Sequence, residues 1–247
     1  MKIAAAILTL LLGACAGSPE RATETVHLPQ VGHFSRNTPG DQLPAGWQTW
    51  TLSRFKKPTE YRLVDYDGRT VVKARASSSA SGLVHPVKID PRRYPLLDWD
   101  WKVTELIAGA DNTKKHTEDS PARVVVSFSG DVSTLPLADR MFFDNVRLMT
   151  RQELPYATLM YIWENRAPVG TIIPNLHTSR IKMIVAGSGK DKTGAWQHVS
   201  RNVADDFRRA FGEDPGTITA VAIMSDTDNT GEQASAYYGD ISFRRAP

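Results

Sequence analysis

The sequence has little cysteine, little net charge and no long apolar run, and each shortage removes a class of protein. Cys15 is the single cysteine among 247 residues, so no disulfide can close within the chain and no cysteine-built zinc site is possible. Lys and Arg number 30 against 27 Asp and Glu. An excess of three makes no basic patch of the kind that grips nucleic acid, and no nucleic-acid partner is expected. The longest apolar run, residues 3–12, is about half the roughly 20 residues that a membrane-spanning helix needs. The histidines, His27, His33, His85, His116, His177 and His198, lack close metal-ligand spacing, and neither H-E-x-x-H nor G-x-S-x-G occurs. Gly187-Ser188-Gly189-Lys190 falls short of the full phosphate-loop spacing and reads as a hairpin.

What is present begins with an address. Lys2, the short apolar run and the small residues Gly13 and Ala14 form the pattern of a secretory signal over residues 1–14. Leu12-Gly13-Ala14-Cys15 resembles a bacterial lipobox. That resemblance implies cleavage before Cys15, diacylglycerol on its sulfur and a membrane partner held through lipid. It places the protein in the cell envelope, on the periplasmic side. Ala16, where Asp would favour the inner membrane, points to the outer one. Residues 15–30 read as a flexible tether. A lipidated Cys15 leaves no thiol for catalysis.

Residues 31–247 break into short alternating or apolar runs separated by Gly, Pro, Asp and Asn. Strands are expected at 47–52, 61–66, 70–76, 82–89, 96–103, 123–129, 158–164, 181–186, 197–202, 218–225 and 234–243, with Asp67-Gly68 as a hairpin turn. Helices are expected at 136–152, as an insertion, and at 203–211. Asn202 or Ser200 would cap the second helix, Gly212 would end it, and Asp205 and Arg209 would pair along it. The absence of long helices between strands argues for a mainly β fold, an antiparallel β-sandwich in one domain.

Alternation assigns faces. Leu97, Trp99, Trp101 and Val103 share one side of their strand, and Asp98, Asp100 and Lys102 the other. Trp99, Trp101 and Trp163 are therefore expected in the core. Trp47, Trp50 and Trp196, near turns, are the better candidates for exposed platforms, although each reads first as a packing residue.

The series Tyr94-Pro95-Leu96-Leu97-Asp98-Trp99-Asp100-Trp101-Lys102-Val103, Leu159-Met160-Tyr161-Ile162-Trp163, Arg201-Asn202-Val203, Asp226-Thr227-Asp228-Asn229-Thr230-Gly231 and Tyr238-Gly239-Asp240-Ile241 resembles the bacterial family called domain of unknown function 3047. The resemblance implies a secreted or periplasmic single domain and supplies no activity. The closing strand is also similar to that of jelly-roll carbohydrate-binding modules.

Three places hold groups with chemical potential. Asp226, Asp228 and Thr230 offer oxygen ligands at alternate positions before Gly231, as in the first half of a calcium loop. The twelfth position would be Tyr237 rather than Glu, so the loop is no EF-hand, and an Asx-turn that satisfies its own backbone reads equally well. Asp98, Asp100 and Arg123 are candidates for one polar sheet face, with Glu164 and Arg201 as further ligand-binding charges at strand ends. Such a row reads either as a site or as a solvated face. Asp100, Glu164 or Asp228 would serve a carboxylate-based polysaccharide hydrolase or lyase. The leading expectation is instead a non-catalytic module that holds a glycan or an envelope component. A structural protein that binds another envelope protein is the third.

Overall fold

A strand that shows one face to a core and one to solvent needs period-two alternation, and most of the chain from Gln30 onward has it. The computed structural model describes residues 28–51, 53 and 55–247. The signal segment, Cys15 and most of the tether lie outside the described residues. In chain order the strands are β1 (Gln30–Gly32), β2 (Gln48–Thr51), β3 (Glu60–Tyr66), β4 (Arg69–Ser77), β5 (Ala80–Ile89), β6 (Leu96–Val103) and β7 (Ser120–Phe128). After α1 (Leu137–Thr150) come β8 (Ala157–Glu164), β9 (Ile172–Pro174), β10 (Ile181–Ser188) and β11 (Gln197–Asn202). Then follow α2 (Val203–Phe211), β12 (Ile218–Asp226) and β13 (Gln233–Arg244).

These strands form two sheets in a sandwich of jelly-roll type. One sheet has the order β11-β6-β13-β4-β3, with β1 along β13; the other has the order β2-β5-β12-β7-β8-β10-β9. From β4 to β7 the chain crosses between the sheets at every step, and again from β11 to β13. Neighbours are antiparallel except β8 and β10, which run parallel with β9 on the outer edge. The first strand begins at Gln30, where Pro29 already accepts a hydrogen bond from the Phe243 amide.

The core lies between the sheets. Trp99 and Trp101 meet edge to face at 5.5 Å, and each reaches a ring of the facing sheet: Trp99 to Tyr161 at 5.1 Å and Trp101 to Trp163 at 5.9 Å. All four side chains are fully buried. Gly187 makes room for one of them, because a Cβ there would sit 2.5 Å from the Trp163 ring. Trp47 is also buried, stacked on Phe34 and His85. It is a packing residue, the first expectation for it, and its place near a turn does not make it an exposed platform.

α2 closes one end of the sandwich. Asn202 accepts from the Ala204 and Asp205 amides at its start, and Gly212, at φ 74°, ends it in the left-handed region. Phe207 packs on Phe128 at 4.7 Å. The expected Asp205–Arg209 pair is replaced by two i,i+3 pairs, Arg208–Asp205 and Arg209–Asp206. α1 is two residues shorter at its C-terminal end than expected and is exposed along much of its length. Among the described residues no helix is long and apolar enough to cross a membrane.

Candidate functional site

The outer face of the six-stranded sheet carries the best-developed site. The β3–β4 hairpin turns at Asp67 and Gly68, both at positive φ (53° and 80°), as that pair of residues permits. The tight turn sets Tyr66 beside Arg69. Alternation in β13 and β6 then turns Tyr237, Asp100 and Lys102 outward, and β11 adds His198 opposite Asp100. Trp196, just before β11, completes a trio of half-buried rings: Tyr66–Tyr237 at 5.0 Å, Tyr66–Trp196 at 5.6 Å and Trp196–Tyr237 at 6.4 Å.

Cations sit over these rings. The Arg69 guanidinium lies 5.3 Å from the Trp196 ring, Lys73 5.6 Å from Tyr237, and Lys102 4.8 Å from Tyr66, whose hydroxyl it also meets. Arg69 reaches over β13 to Asp100 at 3.0 Å, and His198 Nδ1 pairs with the other Asp100 oxygen at 2.9 Å. Gly239 permits that reach, since a Cβ there would lie 1.9 Å from Arg69 Nη2. Tyr66, Asp67, Arg69, Asp100, Trp196 and His198 line a recess of about 470 Å³. Asp98 lies on the same face and pairs with Arg244 at 2.6 Å.

The other expected ligand-binding charges are elsewhere. Arg123 is not on the face of Asp98 and Asp100: β6 and β7 belong to different sheets. Arg123 is 2% exposed and forms a two-pronged ion pair with Asp226, Nε–Oδ1 at 2.8 Å and Nη2–Oδ2 at 3.0 Å. Glu164 is buried and accepts the backbone N–H groups of Arg166 (2.5 Å) and Ala167, holding the turn after β8. Arg201 pairs with Asp206 beneath α2, where the Tyr161 hydroxyl donates to the same carboxylate. Burial raises the Tyr161 pKa well above that of a free tyrosine, and Asp206 adds to the effect. Glu164 and Arg201 are thus both engaged within the fold.

At the far end of the seven-stranded sheet, carboxylate oxygens of Asp119, Asp226 and Asp228 lie within 4.8 Å of one another. Asp119 accepts the backbone amides of Asn229 and Thr230, and the Thr230 hydroxyl donates to it at 2.7 Å. Asp228 pairs with Lys56 at 2.6 Å. Burial, aided by the Asp119 charge, pushes the Asp226 carboxyl up to about 6 despite Arg123. The repulsion among these carboxylates is met here by the Arg123 and Lys56 side chains. We therefore expect equal melting curves in millimolar calcium and in chelator. A calcium-dependent rise that Asp228→Asn abolishes would instead show that the ion displaces Lys56.

Tyr66, Arg69, Lys73, Lys102, Tyr237 and His198 were not picked out from the sequence as site residues. For Lys102 and Tyr237 the signal was there, since both alternate outward from core positions in β6 and β13.

Residues 45–242 match the family described as protein of unknown function DUF3047. The chain belongs to that family. The DUF3047 protein has no match among curated proteins. Similar solved structures include the family 30 carbohydrate-binding module of the Clostridium thermocellum cellulase Cel9D-Cel44B, at 13% identity over 88% of this chain and 92% of that one, with a TM-score of 0.33. The xyloglucanase domain of NopAA from Sinorhizobium fredii, in complex with cellobiose, is 8% identical over 84% and 98%, with a TM-score of 0.44. A cyclase from Fischerella sp. TAU is 11% identical over 90% and 98%, with a TM-score of 0.40.

Proposed function

We propose that the protein is a non-catalytic binding module that holds a glycan on the outer face of the six-stranded sheet, anchored to the envelope through lipid on Cys15. The observation that carries this reading is the trio Tyr66, Trp196 and Tyr237 beside Asp100, Arg69 and His198. Ring faces stack on the apolar faces of sugars, and a paired carboxylate and guanidinium take adjacent hydroxyls. Arg69 and Asp100 neutralise each other, and Lys73 and Lys102, held over rings, outnumber Asp67. The surplus is positive, so the preferred glycan is an acidic one. Against hydrolysis stands the dispersal of the candidate carboxylates. Asp100 is on one sheet, and Glu164 and Asp228 belong to the other sheet and its end loop, each already engaged. A glycosidase needs its pair to flank one bond.

Affinity electrophoresis through polygalacturonate, alginate or a neutral β-glucan tests this. Retardation by the acidic polymers is expected, with at least a tenfold weaker interaction in Trp196→Ala and a loss of preference in Lys73→Ala/Lys102→Ala. Equal retardation by the neutral polymer would remove the charge selection, and release of shorter products would favour a hydrolase. Retardation by none would turn the reading toward a protein partner.

A further inference from the structure

Of the nine exposed large apolar side chains among the described residues, four are on α1: Leu137, Met141, Leu148 and Met149. At 100° per residue, Leu137, Met141 and Leu148 lie within about 40° of one another along the helix. The buried residues Asp139 and Phe143 are on the opposite side. Asp139 anchors that side, accepting from Thr178, from the Ser179 amide and from the Ser179 hydroxyl. Arg140 and Arg147 lie along one side of the apolar stripe, and Arg151 follows the helix; all three are exposed. Asp144 interrupts the stripe and pairs with Arg147 at 2.8 Å. With Asp139 spent in the fold, the outward charges of 137–151 are three arginines against one aspartate.

A second observation places this helix. β1 enters the fold with Gln30 opposite Ser242, and Ser242 and Arg244 lie opposite Asp98 and Leu96 at the start of β6. Asn202 is paired with Leu96 and leads into α2, whose Phe207 rests on Phe128 at the end of β7. α1 belongs to the connection between Phe128 and Ala157, which are themselves paired. The chain therefore arrives from its N-terminal segment at the same end of the sandwich from which α1 projects.

We propose that α1 is a membrane-contact helix, which lies along the surface of a bilayer rich in anionic phospholipid. Leu137, Met141 and Leu148 enter the headgroup layer, and Arg140, Arg147 and Arg151 meet phosphates. The proposal is independent of the glycan reading, because it uses neither that face nor its residues. It rests on the proposed Cys15 anchor as the first hold, and makes α1 a reversible second one that fixes which end of the sandwich faces the lipid.

Hydrogen exchange of the full chain, read at residues 137–150 with and without vesicles, tests it. Vesicles of equal phosphatidylglycerol and phosphatidylcholine are expected to slow exchange there at least fivefold, and phosphatidylcholine alone is not. Met141→Asp/Leu148→Asp changes only exposed positions and is expected to abolish the protection, whereas Asp144→Asn increases it. Unchanged exchange, equal protection by neutral vesicles, or protection that survives the double substitution overturns the proposal. So does protection that depends on protein concentration without vesicles, which would make the stripe a contact between copies.

Discussion

Replacing Arg123 by methionine is expected to lower stability by about 3–5 kcal/mol at pH 7.5, because it strands a buried carboxylate without its counter-charge. Arg123 and Asp226 are 2% and 6% exposed, so water cannot take over the missing partner. The loss carries a pH signature. The Asp226 pKa is about 6 in the fold against 3.8 in the unfolded chain. A carboxyl whose pKa is raised by folding stabilises the fold when protonated. Its contribution is complete below about pH 4 and is lost as pH rises through 6. Without Arg123 the pKa rises further, so the deficit of the variant shrinks between pH 7.5 and pH 5.5. Asp90, Asp111, Asp131 and Asp139 are held below the usual carboxylate range and do not titrate in that window. Urea denaturation at the two pH values measures the effect. An equal deficit at both would mean that Asp226 is not the group left stranded.

Trp99→Ala is expected to cost about 3–5 kcal/mol as well, through the cavity it opens against Trp101 and Tyr161. In a domain of this size that is a fall of roughly 10 °C in melting temperature. Trp99→Phe is expected to cost much less. It keeps a ring in place and removes an indole N–H that has no partner among the described residues. Calorimetry of the two variants separates packing from hydrogen bonding. A small loss in Trp99→Ala would mean that the facing sheet collapses into the space.

The strands and their faces were legible because alternation is local. Leu97, Trp99, Trp101 and Val103 announce a core face within eight residues, and α2 is announced by Asn202 and Gly212. The pairing of strands was not legible, because it depends on where the chain crosses between sheets. Asp98 and Asp100 share a face with each other, whereas Arg123, only about 20 residues on, is in the other sheet. The partner of Arg123 is Asp226, brought beside it by the register of β7 against β12. Arg201, a candidate ligand-binding charge in the sequence, serves Asp206. The aromatic recess was half legible: Asp100 and Trp196 were singled out, but Tyr66 and Tyr237 join them only through the hairpin and the position of β13.

That position has a consequence for the order in which the molecule can form. β13 is the last strand in the chain, yet it is central in its sheet, with β6 on one side and β4 on the other. Until it is made, β4 and β6 have no common neighbour, and the apolar sides of Trp99, Trp101 and Val72 have no completed sheet to close over them. A ribosome that releases the chain from its N-terminus delivers β13 after every strand it joins. Strand pairings of such long sequence separation form slowly and leave open edges while they wait. Loss of residues after Gln233 would therefore leave an open half-sheet rather than a shortened sandwich.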